Sequence, residues 1–281
     1  MKLYKKDDSV FIVHGNEVFY KSGVCWDNIV NRKNLFQQLK EELVAYDVVK
    51  DNVEFLLQGK WDAPIGSQEI WASGVTYRRS REARMEESQL KEGADFYDLV
   101  YNAERPELFF KALAQRTVGN LGQVNIRKDS LWNVPEPELT LFISSEGTIE
   151  GYTVGNDMSS RSIEGENPLY LPQAKVYEGC ASIGPCLYVP EFSLSHNTEI
   201  KIFITRSGKV IYSDCIAINQ MKRSFDELVG YLYKSCEFPN GSFLMTGTGM
   251  VPGNDFTLEK QDEIRIHIDE IGTLVNYVGC I

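Results

Sequence analysis

The chain has 281 residues, 43% hydrophobic and 25% charged, a globular balance long enough for one large core or for a core with a small appended unit. Its 40 acidic against 29 basic residues give a formal charge of −11, which argues against nucleic acid or an anionic membrane as a partner. An anionic substrate would then need local help from a metal or from basic side chains.

The first twenty residues hold no sustained apolar stretch of the kind a signal peptide or membrane span requires, so the expectation is a cytoplasmic protein. Short strands are expected over 10–13 and 17–20, then a helix from about Asn34 with Leu35, Leu39 and Leu43 at four-residue spacing. This small N-terminal α/β domain, residues 1–65, ends where glycines and Pro64 cluster between Gly59 and Gly66. The second domain, 66–281, opens with a charged stretch over 78–101 that reads as helix, broken at Gly93 and stopped at Arg105-Pro106. From Leu108 onward short β-type runs alternate with Gly, Asn and Pro turns. One further helix begins at the capping box Ser224-Phe225-Asp226-Glu227 and runs through Leu228 and Leu232. The fold class is therefore α+β, mostly β. The six cysteines (Cys25, Cys180, Cys186, Cys215, Cys236, Cys280) form no CxxC pair, which leaves no zinc ribbon or dithiol motif, and they read as free buried thiols.

Glu136 and Glu138 sit two apart in VPEPELTLFI, so strand alternation puts both on one face while Leu139, Leu141 and Ile143 take the other. A two-residue turn at Glu146-Gly147 would pair Ser145 with Thr148 and bring Asp157 opposite Glu136. The same register sets Leu139 against Val154, Leu141 against Tyr152 and Thr140 against Thr153, as a half-buried hairpin requires. Three carboxylates converging at cross-strand distances of roughly 5 Å repel unless a cation neutralises them. An all-oxygen set suits Mg²⁺, Mn²⁺ or Ca²⁺ better than zinc. Spacing alone leaves a second possibility open, in which the two glutamates are solvated residues of a proline-flanked edge strand and Asp157 belongs to a turn.

The run VPEPELTLFISSEGTIEGYTVGNDMSSR resembles the metal-binding core of the fumarylacetoacetate hydrolase superfamily, where an E-x-E strand and an Asp after a G-Y-T-x-x-N-D element hold Mg²⁺ or a related ion. LMTGTGMVPG and IGTLVNYV resemble that family's T-G-T loop and closing strand, and the likeness covers about residues 70 to 281. It implies a mixed β-sandwich or β-roll catalytic domain, a homo-oligomer, and Glu136, Glu138 and Asp157 as metal ligands. Within the superfamily, RPELFFKA, VPEPEL and ENPLYLPQAKVYEGCASIGP are most similar to a dehydratase branch acting on 2-keto-3-deoxy sugar acids. By that likeness Glu107 and Lys175 face the substrate.

One departure bears on the reaction. The hydrolase branch commonly reads G-x-N-Y-x-x-H, and here Gly74-Val75-Thr76-Tyr77-Arg78-Arg79-Ser80 puts Ser80 at the position of the water-activating His. His14, His196 and His267 all fall in other segments. The resemblance and this departure together point to a Mg²⁺-dependent lyase that dehydrates a small 2-keto acid by enolate formation and loss of water. An acylpyruvate or diketo-acid hydrolase is the alternative. A base must take a C3 proton and an acid must protonate the leaving C4 hydroxyl; Lys175 and Glu107 are the candidates, and the residues do not decide which does which. Thr246, Gly247 and Thr248 form a small hydroxyl-bearing loop suited to a substrate carboxylate or hydroxyl, or else a plain β-turn. Arg84, Arg105 and Lys111 are further candidates for anion contact.

Overall fold

The computed structural model describes residues 1–50, 59–79 and 99–281. The N-terminal strands β1 (Lys2–Lys6), β2 (Ser9–His14) and β3 (Glu17–Lys21) form a meander, followed by helices α1 (Trp26–Val30) and α2 (Leu35–Glu42) and the short strand β4 (Asp47–Val48). β2, β3 and α2 lie where hydrophobic spacing places them, with Leu35 and Leu39 fully buried. β1 was not anticipated, because Lys2, Lys5 and Lys6 mask the alternation of its short apolar pair, Leu3 and Tyr4. That strand joins the meander to the rest of the molecule: Lys2 and Leu3 pair with Tyr188 and Leu187. The strands of residues 1–65 thus continue the main sheet by hydrogen bonding.

The main sheet adds β5 (Glu69–Gly74), β6 (Glu107–Leu113), β7 (Thr117–Val118), the long hairpin β9 (Asn133–Ile143) and β10 (Ile149–Ser160), then β11 (Ala181–Tyr188) and β14 (Ser242–Met245). Its order is β4-β3-β2-β1-β11-β10-β9-β14-β5-β6, with β7 alongside β11. A second sheet, ordered β13-β12-β15-β16-β8, is built from β8 (Gly122–Ile126), β12 (Glu199–Arg206), β13 (Lys209–Ala217), β15 (Glu263–Ile268) and β16 (Gly272–Cys280). Ile200, Ile202, Ile204, Ile264, Ile266 and Ile268 are all fully buried, while Lys201, Phe203, Arg265 and His267 between them are not. This two-residue period marks a sheet with one face on the core and one in water. It packs on the middle of the main sheet, β9 to β11, so β9 and β10 are covered on both faces.

Helices α3 (Arg161–Glu166) and α4 (Leu171–Lys175) follow β10, and α5 (Phe225–Leu232) precedes β14. The capping box holds: Ser224 Oγ accepts from the Glu227 N–H at 3.2 Å, and Leu228, Val229 and Leu232 turn inward. Most of the helix expected over 78–101 lies outside the described residues. Among those described, no helix is long and apolar enough to cross a membrane.

The β9–β10 register agrees with the expected pairing, Glu136 opposite Asp157, Leu139 opposite Val154, Thr140 opposite Thr153 and Leu141 opposite Tyr152. The turn itself differs. Ser144, not Ser145, faces Thr148, with the Ser144 N–H donating to Thr148 O at 2.9 Å and Gly147 at φ +75°. The shift of one residue is cancelled by a bulge at Glu150 between the Ile149 and Gly151 pairs. Glu150 is then free to cap α2, accepting from the Leu35 N–H at 2.9 Å. The cysteine expectation needs correction too: Cys180 and Cys186 are buried, but Cys25, Cys215 and Cys236 are exposed, Cys215 because it sits opposite Lys201 on the solvent face of β13.

Phe142 and Phe243 meet across β9 and β14 with ring centroids 5.2 Å apart, both fully buried. Phe142→Ala is expected to lower stability by about 3–5 kcal/mol, read as a drop in the denaturant midpoint at unchanged slope.

Candidate metal centre

β14 pairs with β9 only from Ile143 back to Thr140, so the residues before Thr140 have no strand on that side. Pro135 and Pro137, which lack N–H donors, fall in this unpaired part, where they break no ladder. The chain leaving β14 takes over the edge: the Thr246 N–H and hydroxyl both donate to Leu139 O, at 3.0 and 2.9 Å, and the Gly247 N–H donates to Glu138 Oε2 at 2.6 Å. Glu136, Glu138 and Asp157 converge beneath this loop, with one ligand oxygen from each lying within 4.8 Å of the others. Their exposures are 4%, 2% and 0%, so the solvated-edge arrangement that spacing left open does not occur.

Such burial is tolerable only with compensating charge. Lys175, the last residue of α4, donates to Glu136 Oε2 and to Asp157 Oδ2, the latter at 3.2 Å. Lys111 on β6 lies 2.5 Å from Asp157 Oδ1 and donates to the carbonyls of Met158 and Lys175 at 2.9 and 2.6 Å. Arg161, the first residue of α3, donates to Glu136 Oε1 at 2.6 Å. All three cations are themselves buried. Glu138 is touched by none of these ion pairs, and its carboxyl is pushed well above its ordinary pKa, first by burial and then by the charges of Asp157 and Glu136. It is the carboxylate with most to gain from an added cation.

The cavity among these groups is also lined by Ser73, Gly74, Val75, Phe109, Gly247 and Thr248, and its volume of about 20 Å³ is on the scale of one small ion or water. A hard divalent ion fits both the all-oxygen donor set and the space. A larger groove of about 710 Å³, between Tyr152, Leu194, Met221 and Phe225, contains none of the carboxylates.

Lys175, Gly247 and Thr248 line the cavity, and Thr246 anchors the loop behind them. Glu107, paired with Gly74, stands one layer out: a Cβ at Gly74 would lie 2.0 Å from its Oε2, so the glycine makes room for this carboxylate beside the cavity wall. Lys111 faces Asp157 and two carbonyls rather than open space, forming an ion pair with the first and donating to the other two. Arg105 lies over the Tyr231 ring. Ser80 and Arg84 fall outside the described residues. None of the three histidines lines the cavity.

Sequence reading missed Arg161, although it closes the G-Y-T-V-G-N-D-M-S-S-R run; its type and its place four residues after Asp157 were the available signal. Val75 was missed as well. It lines the cavity at φ +53°, a conformation that costs a β-branched residue of order 1–3 kcal/mol and that recurs at functional sites. No pattern in the sequence announces it.

The chain belongs to the fumarylacetoacetate hydrolase family: the model of the fumarylacetoacetate (FAA) hydrolase C-terminal domain matches residues 70–279. It is 51% identical to the "Probable 2-keto-3-deoxyxylonate dehydratase" of Haloferax volcanii over 78% of this chain and 74% of that one. It is 42% identical to the 2-dehydro-3-deoxy-D-arabinonate dehydratase of Saccharolobus solfataricus, over 76% and 73%. Among solved structures it is similar to a 2-keto-3-deoxy-D-arabinonate dehydratase complexed with magnesium and 2,5-dioxopentanoate, with a TM-score of 0.86, 33% identity, and coverage of 100% of this chain and 99% of the other.

Replacing Lys111 by Met leaves the Asp157 carboxylate buried without its nearest cation. Thermal or chemical unfolding of the metal-free variant is expected to show a loss of about 3–5 kcal/mol.

Proposed function

We propose that this protein is a Mg²⁺-dependent hydro-lyase that dehydrates a 2-keto-3-deoxy sugar acid such as 2-keto-3-deoxy-D-arabinonate. The observation that carries the reading is the buried triad of Glu136, Glu138 and Asp157 with Lys175 against two of its members. Relatives named as dehydratases of such acids, at 51% and 42% identity, support it. Glu136, Glu138 and Asp157 would hold the ion, which when bound supplies Lewis-acid stabilisation of negative charge developing on the substrate's keto oxygen.

The protein's own groups account for the remaining work. Three carboxylates are balanced by Lys175, Lys111 and Arg161; a divalent ion beside Lys175 would favour its neutral amine, leaving an excess of one positive charge. A 2-keto acid brings one negative charge and gains another as its C3 proton departs, so attraction is greatest in the transition state. Lys175, as that neutral amine, is the base assigned to the proton, since its Nζ stands at the cavity wall. Glu107, beside Gly74, is assigned the proton that leaves with the C4 hydroxyl as water. For a five-carbon substrate the product is then an unsaturated keto acid. Proton shifts that carry hydrogen from C5 and its hydroxyl to C3 and C4 convert it to the 2,5-dioxo acid. Thr248 offers a hydroxyl at the cavity, suited to orient the substrate, while the Gly247 N–H is committed to Glu138. Lys111 acts by holding Asp157 and the backbone of Lys175, and Arg84 remains a candidate for carboxylate contact.

A site without histidine favours dehydration over the hydrolytic alternative, which needs an activated water. We place residues 1–65 as an N-terminal unit appended to a catalytic unit of 66–281, and the protein in the cytoplasm as a homo-oligomer, the last on family likeness.

Incubation with 2-keto-3-deoxyarabinonate and Mg²⁺, followed by ¹H NMR, should show an aldehyde proton and loss of the C4 carbinol signal. Pyruvate released from an acylpyruvate, with no aldehyde from the sugar acid, would contradict the reading. Chelation should abolish turnover and Mg²⁺ should restore it. Lys175→Ala is expected to reduce kcat by about 10²–10⁴ while the protein still binds Mn²⁺; an unchanged kcat would remove Lys175 from its role.

A further inference from the structure

The peptide unit between Thr246 and Gly247 has a partner at each end. Its N–H, belonging to Gly247, donates to Glu138 Oε2 at 2.6 Å, and its carbonyl, belonging to Thr246, accepts from Thr76 Oγ1 at 2.7 Å. In a trans peptide the two groups point in opposite directions, so the plane that aims the N–H at Glu138 is the plane that aims the carbonyl at Thr76. Gly247 sits at φ +91°, and glycine takes either sign of φ with little penalty, so nothing in residue 247 itself prevents this peptide from turning over. Turning it over would direct a carbonyl oxygen at a buried carboxylate.

We infer that Thr76 is a positioning residue for the metal centre: its buried hydroxyl locks the 246–247 peptide so that Gly247 N–H holds Glu138 in the orientation that ligates the ion. The inference rests on the metal-site reading above.

The residues around Thr76 are arranged to keep it in place. Thr76 is fully buried, its carbonyl accepts from the Lys222 N–H at 2.9 Å, and neighbouring Tyr77 bridges to Met221. On the other side Ser73 Oγ donates to Glu107 O at 2.9 Å, tying the strap formed by residues 73–77 to β6. Between these ties the backbone passes through Val75 at φ +53°, so the strain of that residue is what brings the Thr76 hydroxyl to the loop. The approach is close: a Cβ on Gly247 would stand 2.1 Å from Thr76 Oγ1 and 2.9 Å from Ser73 O, so the strap and the loop interlock only with glycine at 247. Donation to the carbonyl also polarises the amide and strengthens its N–H as a donor to the carboxylate. Thr76 is absent from the cavity lining, so it acts on substrate only through Glu138.

The test compares the wild-type protein with Thr76→Val, which keeps the shape and removes the hydroxyl, and Thr76→Ser, which restores it. Mn²⁺ binding is measured without substrate, by electron paramagnetic resonance of the free ion, and the Gly247 amide is followed in a ¹⁵N–¹H spectrum. Loss of an outer-shell partner typically weakens metal binding about 10–100-fold. Thr76→Val should bind Mn²⁺ at least about tenfold more weakly, with a displaced Gly247 resonance, and Thr76→Ser should bind within about twofold of wild type. If the valine variant does not fold, Thr76→Ala, which adds no bulk, gives the same reading. Wild-type affinity in a folded valine or alanine variant overturns the inference, as does a serine variant as weak as valine. A wild-type protein that binds no Mn²⁺ overturns both this inference and the metal site. Weakened metal binding in Thr76→Val from a wild-type protein that dehydrates no sugar acid would sustain Thr76 and overturn the proposed function alone.

Discussion

Three carboxylates forced together out of water are the constraint around which this molecule is organised. Each buried anion carries a desolvation cost of several kcal/mol, and mutual repulsion adds to it. The compensation comes from three places in the chain: Lys111 from β6, Arg161 from the start of α3 and Lys175 from the end of α4. The helices after β10 are short, five and six residues, too short to be stable by propensity alone. They are held by what their end residues bind, so the charge balance of the site and the local fold are one problem.

The same constraint explains why the site sits where β14 stops. A carboxylate pointing from the middle of a fully paired sheet would meet only apolar neighbours. Ending β14 at Met245 frees the edge of β9, and the loop that follows supplies one N–H to Glu138 and two donors to Leu139 O. The second sheet closes the opposite face with its ladder of buried isoleucines. What results is a small enclosed space with oxygen on its floor, cations behind the oxygens, and backbone from two loops at its rim. A divalent ion held there would attract an anionic substrate strongly, because the surroundings screen so little.

Much of this was readable from the residues alone. Alternation in VPEPELTLFI and the pairing of Leu139, Thr140 and Leu141 with their partners depend only on local period and side-chain size, and both appear in the structure. The turn was misplaced by one residue, since a bulge at Glu150 offsets it and no local pattern distinguishes the two solutions. β1 escaped notice because lysines flank its apolar pair and because its β11 partner is remote in sequence, Lys2 pairing with Tyr188, 186 residues away. The compensating cations were the least legible part. Lys111 and Arg161 look like ordinary solvated basic residues in sequence, and only the fold brings Lys111 to Asp157 and Arg161 to Glu136. The strained Val75 and the locked 246–247 peptide are likewise products of long-range contacts.

The most direct test of the account is anomalous diffraction from crystals soaked in Mn²⁺ with and without a 2-keto acid. A single peak within about 2.1 Å of oxygens from Glu136, Glu138 and Asp157, with the keto acid completing its coordination, is the predicted result. Lys175 hydrogen-bonded to Glu136 and Asp157 with no anomalous peak among the three carboxylates would contradict it.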